Sequence, residues 1–147
     1  MDTETKTIAA KELSCGVVPA LFAQGDWRLL VLRTYKNWDF PKGVVHPHED
    51  PLEAATRETL EATGIDDLEF VFGEEFKETV PYADNKIARH YVAETRTAEI
   101  TLPVSRKLGR PEHQEYRWVT CDEAEDLLPP RLTHVLEWVR GQIDNEG

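Results

Sequence analysis

Apolar residues recur along this chain with two spacings, every second position in some stretches and every third or fourth in others. Residues 14–22 (SCGVVPALF) and 27–33 (WRLLVLR) are apolar runs of strand length, and Gln24-Gly25-Asp26 between them reads as a tight turn. Pro19 inside the first run predicts a bulge or a sheet edge, because proline cannot donate to a ladder. Residues 68–76 (LEFVFGEEF) alternate and predict a strand with Gly73 as a bulge. Residues 88–94 (ARHYVAE) predict another strand, with 81–86 as the hairpin loop between them, and residues 116–119 (YRWV) a short one.

The helical spacing begins at Asp50-Pro51-Leu52-Glu53. Asp50 suits the cap, Pro51 the first turn, and Glu53 the third position of a capping-box-like start. At about 100° per residue, Leu52, Ala55, Thr56, Thr59 and Thr63 share one side, while Arg57, Glu58 and Glu61 share the other. Gly64 suits the end of this helix. Thr120-Cys121-Asp122-Glu123 opens a second helix, and residues 131–143 form a last amphipathic one with Leu132, Val135, Leu136 and Val139 inward. Strands, helix, strands, helices is an α+β order. Residues 1–11 are polar and read as a loose segment or an early strand edge. With no repeat or linker, 147 residues predict a single domain over 1–147.

Composition narrows the classes of partner. Forty per cent hydrophobic residues suffice for a core, and no run approaches the ~18 apolar residues of a membrane span. A formal net charge of −11 argues against stable nucleic-acid binding and against anionic membranes. It also sits awkwardly with a polyanionic substrate unless metal ions and local cations intervene; Lys42, Arg57, Lys77, Lys86 and Arg89, just before, within or after the most informative stretch, could supply them. The start of the chain lacks a basic segment followed by an apolar one, and Cys15 and Cys121 lie far apart and read as reduced thiols. The expected location is cytoplasmic.

That stretch is residues 43–65, GVVHPHEDPLEAATRETLEATGI. Glycine, glutamate, an Arg-Glu pair, a further glutamate and a closing glycine place carboxylates together on a loop and helix. Hard oxygen donors in that arrangement suit divalent cations held against phosphate. The string resembles the Nudix box, G-x5-E-x7-R-E-U-x-E-E-x-G-U with U a bulky apolar residue. Gly43, Glu49, Arg57, Glu58, Glu61, Gly64 and Ile65 fall in register, while Thr59 replaces U and Ala62 replaces the second consecutive glutamate.

The resemblance implies a Nudix-type α/β/α sandwich around a mixed sheet, with the box as loop-helix-loop. It implies Mg2+ or Mn2+ held by Glu58 and Glu61 with the Gly43 backbone carbonyl, and Glu49 paired with Arg57 in support. One of the carboxylates, or a metal-bound water near it, would activate the nucleophile. Ala62 removes a common ligand, and His46 or His48 could compensate. Asn37-Trp38-Asp39-Phe40-Pro41-Lys42-Gly43 and Glu112-His113-Gln114-Glu115-Tyr116-Arg117-Trp118 are similar to segments of the diadenosine tetraphosphate hydrolases. In that group a glutamate six residues before a tryptophan supplies a metal-site carboxylate or the base; Glu112 holds this place and Glu115 is the alternative. Tyr82 would stack on a nucleobase, with Lys42 and Lys86 on phosphate. Val44 stands where the group often has histidine. The expected substrate is a small nucleotide, bis(5′-nucleosyl)-tetraphosphate, cleaved to ATP and AMP. A diphosphoinositol polyphosphate or RNA 5′-pyrophosphohydrolase, or a nucleotide-binding module with little turnover, are the alternatives.

Overall fold

The computed structural model describes residues 12–83 and 85–146. Residues 1–11, read above as loose, lie outside the described residues. Strand β1 (Glu12–Ala23) turns into β2 (Asp26–Thr34) through Gln24 and Gly25, with φ of 55° and 81°. Two successive left-handed residues match the right-handed twist of a hairpin. Short strands β3 (Asn37–Asp39) and β4 (Gly43–Val44) follow, then helix α1 (Pro51–Thr63). After α1 come β5 (Lys77–Glu78), β6 (Lys86–Glu94), β7 (Val104–Ser105), β8 (Arg110–Pro111) and β9 (Glu115–Val119). Helix α2 (Cys121–Leu127), a 3-10 turn (Pro130–Leu132) and α3 (Thr133–Glu146) complete the order.

The main sheet is mixed. β1 runs parallel to β6 and antiparallel to β2 and β4, while β2 also pairs with β3 and β9. Both faces are covered, which explains the unbroken apolar runs of β1 and β2. Cys15, Val17, Tyr91 and Ala93 pack against Ala54 and Ala55 of α1. Val18, Ala20, Leu29, Val31 and Val92 pack on the other side with Ala124, Leu132, Val135, Val139 and Ile143 of the C-terminal helices. This is the expected α+β sandwich.

Local signals explain the helices. Asp50 caps α1 by accepting from the Leu52 and Glu53 amides, and Gly64 closes it at φ 80° with its N–H on the Leu60 carbonyl. Thr120 and Glu123 form a reciprocal capping box at α2. The buried face of α1 is Ala54, Ala55, Thr59 and Thr63, with Leu52 and Thr56 only half-buried.

Three expectations need correction. Residues 68–76 are not a strand: their only ladder contact is a single bridge from Glu69 to Glu94, and Gly73 closes a turn onto Phe70. The neighbouring edge of β6 is occupied at Arg89 and His90 by β5. The alternating Leu68, Phe70 and Phe72 serve instead as separate anchors into the cores. Pro19 is neither bulge nor edge; it lies inside β1 where that strand exchanges β4, paired at Ser14 and Cys15, for β2, paired from Ala20 onward. The last helix begins at Thr133 rather than Arg131, because Pro129 and Pro130 set up a 3-10 turn first.

Candidate active site

The loop before α1 lies directly on β1. A Cβ at Gly16 would overlap the Pro41 carbonyl, so only glycine lets the two backbones approach this closely. Two residues on, Gly43 pairs with Cys15. The space beside its α-carbon is filled by the Glu58 carboxylate, which a Cβ there would overlap. Box glycine and box glutamate, 15 positions apart, are therefore in direct contact.

Arg57 organises the surrounding acids. Its Nε and Nη2 donate to the two oxygens of Glu49 at 2.8 and 3.0 Å, a bidentate pair. Nη1 donates to Glu58 at 2.8 Å and to Glu61 at 3.3 Å, and Nη2 reaches the Val44 carbonyl at 3.3 Å. The hydrogen bonds from Arg57, aided by the His46 amide, hold the Glu49 carboxyl down at about 2. The Glu49 bond in turn raises the Arg57 guanidinium above its usual range. Three carboxylates share one guanidinium, so two negative charges in this group are uncompensated.

A cleft of about 220 Å³ lies beside them, lined by Lys42, Glu58, Glu61, Ala62, Glu112 and His113, with residues 103–105 completing its wall. Lys42, Glu58, Glu61 and Glu112, picked from distant parts of the sequence, thus share one cleft. Oxygen donors with excess negative charge fit a hard divalent cation in chemistry. Among the described residues, however, no three His, Cys, Asp or Glu side chains are gathered as a ready-made ligand cage. Ala62 faces the cleft where the resemblance expected a carboxylate.

Lys42 joins the cleft wall to a second cluster of charges. Its Nζ donates to Asp39 at 2.7 Å, and the same oxygen accepts from Arg131 at 2.9 Å. Burial would raise the Asp39 carboxyl, but the charges and hydrogen bonds of Lys42 and then Arg131 overcome this and hold it low. The Arg131 guanidinium also lies 4.8 Å from the Tyr82 ring centre, so one face of that ring is already covered. Beneath lies His90, fully buried, edge-on to Phe40 and without a hydrogen-bond partner on either ring nitrogen. Burial pushes its imidazole down to about 4, against the pull of Asp39.

Other expected contributors stand elsewhere. His46 and His48 are exposed and do not line the cleft; the His46 amide instead donates to Glu49. Glu115 is taken up by Arg33 and Arg117, both at 2.9 Å. Arg89 is bound to Glu78 and stacked over Phe76, and Lys77 is exposed on β5. Lys86 is exposed, exchanges backbone hydrogen bonds with Tyr82 across the 81–86 turn, and its Nζ is 3.9 Å from Glu12. Sequence reasoning missed His113, Asp39 and Arg131. The i,i+3 spacing of Asp39 and Lys42 was a usable signal for that pair, whereas Arg131 lies 92 residues from its partner.

The Nudix domain family model matches residues 13–139, and the chain belongs to the Nudix family. Among curated proteins, it is 36% identical over 94 residues to the asymmetrical bis(5′-nucleosyl)-tetraphosphatase of Rattus norvegicus, covering 62% of this chain and 60% of that one. The chain thus spans about 60% of the length of that relative. It is 32% identical over 102 residues to the m7GpppN-mRNA hydrolase dcap-2 of Caenorhabditis elegans, which covers 66% of this chain and 12% of the relative. Among solved structures, a C. elegans Ap4A hydrolase in a binary complex superposes with a TM-score of 0.72 at 21% identity, covering 91% of this chain and 98% of that one. This last likeness concerns the fold.

Proposed function

We propose that the protein is a divalent-metal-dependent pyrophosphohydrolase of nucleotides, with bis(5′-nucleosyl)-tetraphosphate, cleaved to ATP and AMP, as its substrate. The observation that carries this reading is the cleft in which Glu58, Glu61 and Glu112 face Lys42. Similarity to a bis(5′-nucleosyl)-tetraphosphatase supports the choice of substrate. Glu58, Glu61 and Glu112, with the Gly43 carbonyl, would hold Mg2+ or Mn2+. Such an ion supplies charge neutralisation for the phosphate oxygens and acidifies water.

The chain's own groups do the remainder. Arg57, clamped by Glu49, fixes the side chains of Glu58 and Glu61 before substrate arrives. A carboxylate among Glu58, Glu61 and Glu112 accepts the proton of the attacking water. Lys42, held by Asp39, places a positive charge on the cleft wall against the phosphate chain. Tyr82, with Arg131 over one face, would stack a base on its other face, and Lys86 lies at the other side of the same turn.

The test is a nucleotide screen with Mg2+ and Mn2+, products being separated by chromatography. ATP and AMP from diadenosine tetraphosphate are expected; capped RNA or diphosphoinositol polyphosphate as the better substrate would overturn the choice. A second reading, nucleotide binding without turnover, is favoured by Ala62 and by the lack of a ready-made ligand cage among the described residues. Saturable nucleotide binding with no product under either metal would establish it.

A further inference from the structure

Residues 100–111 carry Arg106, Lys107 and Arg110 and no acidic residue, in a chain whose net charge is −11. They contain the β7–β8 ribbon, in which Val104 pairs with Pro111 and Ser105 with Arg110, separate from the main sheet. The Gly109 amide donates to the Ser105 carbonyl at 2.8 Å, and Leu108 donates to the Ser105 hydroxyl at 3.3 Å. Gly109 has φ 70°, which suits glycine at this corner. All three cations are exposed. Among the described residues they form none of the ion pairs that occupy Arg33, Arg57, Arg89, Arg131 and Arg140.

The placement of the ribbon gives this charge a direction. Its first strand begins in the cleft wall, where residues 103–105 stand with Glu58, Glu61 and Glu112. The cleft is about 220 Å³, and pockets that enclose a drug-sized ligand run from ~300 to 1,000 Å³. A phosphate chain carrying two nucleosides therefore cannot be housed in it and must leave over the rim. Opposite charges within a Debye length of about 8 Å at physiological salt attract strongly enough to raise capture rates.

We propose that the β7–β8 ribbon is a second binding element of this site, pairing Arg106, Lys107 and Arg110 with the phosphate chain of a polyphosphate nucleotide where it leaves the cleft. The ribbon thereby favours long phosphate chains over short ones. This inference rests on the reading of the cleft as a pyrophosphohydrolase site.

The test compares the wild-type protein with the triple variant Arg106→Gln, Lys107→Gln, Arg110→Gln. The three residues are exposed, and thermal unfolding checks that the fold persists. The ratio of kcat/KM for diadenosine tetraphosphate to that for ADP-ribose, whose chain has two phosphates, is expected to fall about tenfold. The dependence of the tetraphosphate value on ionic strength should flatten. A separate arm measures binding of inorganic tetrapolyphosphate with Mg2+ by calorimetry, which needs no turnover. If the wild-type protein hydrolyses neither nucleotide, the proposed activity fails, and the calorimetric arm still decides the role of the ribbon. Equal affinity and equal salt dependence in wild type and variant would overturn the proposal. So would a far larger loss of affinity for a 5′-triphosphorylated RNA oligomer than for tetrapolyphosphate, which would make the ribbon an RNA surface.

Discussion

The hydroxyl of Thr59 accepts a hydrogen bond from the Val17 amide at 3.1 Å and donates its own to the Ala55 carbonyl at 2.8 Å. Both residues are fully buried. Val17 lies in the stretch of β1 between its β4-paired and β2-paired parts, so its amide is satisfied by the helix above it. A polar residue thus occupies a box position where a bulky apolar one is usual. Thr59→Val keeps the shape and strands the amide, and should destabilise the fold by about 1–3 kcal/mol. Thr59→Ser keeps the acceptor and should lose less. Chemical denaturation of the three proteins checks this; equal midpoints for Val and Thr would show that the bond contributes nothing.

Contact between Gly43 and Glu58 leads to a test of the site. Gly43→Ala must displace the Glu58 carboxylate, and Glu58→Gln keeps its shape while removing its charge. Each should reduce turnover at least about tenfold, or roughly 1.4 kcal/mol in the barrier. Steady-state kinetics on the best substrate of the screen decide the matter. Full activity in Glu58→Gln would remove this residue from the machinery.

Ala62 lines the cleft and also packs beside Ile65, Leu30 and Leu32. Ala62→Glu supplies a further carboxylate to the wall, so the Mg2+ concentration for half-maximal activity should fall. A requirement that is unchanged or increased would mean that the site is complete without it.

His90 makes stability depend on pH. Its ordinary value is 6.5 and burial lowers it to about 4 in the fold, so between these values the unfolded chain binds more protons. The stabilisation is fully present above about pH 6.5 and is lost as the pH falls toward 4, at up to about 1.4 kcal/mol per unit. The Glu49 window lies lower, between 4.5 and about 2. His90→Leu should make the stability profile shallower between pH 6.5 and 4, where His113, also lowered by burial, still contributes, and leave the lower limb in place. Urea unfolding across that range would refute the assignment if both proteins lost stability in parallel.

Tyr82 has Arg131 over one ring face, so a stacked base would use the other. Tyr82→Ala should raise the KM for a dinucleoside polyphosphate about fivefold or more, as base stacking is worth about 1–3 kcal/mol. The turnover number should change much less, as for a contact made equally in ground and transition states. Inorganic polyphosphate should be indifferent; equal effects on both substrates would mean that Tyr82 does not read the base.

Features built from neighbouring residues were legible in the sequence. The Asp50 cap, the Gly64 terminus and the spacing of Arg57, Glu58 and Glu61 lie within four turns of one helix, where side-chain positions follow from helical geometry. The Gln24-Gly25 turn and the capping box at Thr120 are equally local. The tertiary structure decided whatever depended on distant partners. A strand needs a free edge as well as an alternating pattern; residues 68–76 had the pattern, but β5 occupies the neighbouring part of β6. The two-residue strands of β7 and β8 are too short to show any period. Asp39, Lys42 and Arg131 meet across 92 residues, and only the fold brings residues 103–105 to the same cleft as Glu58, Glu61 and Glu112. Pairing over such separations is set by how layers pack on the sheet, which no local spacing records.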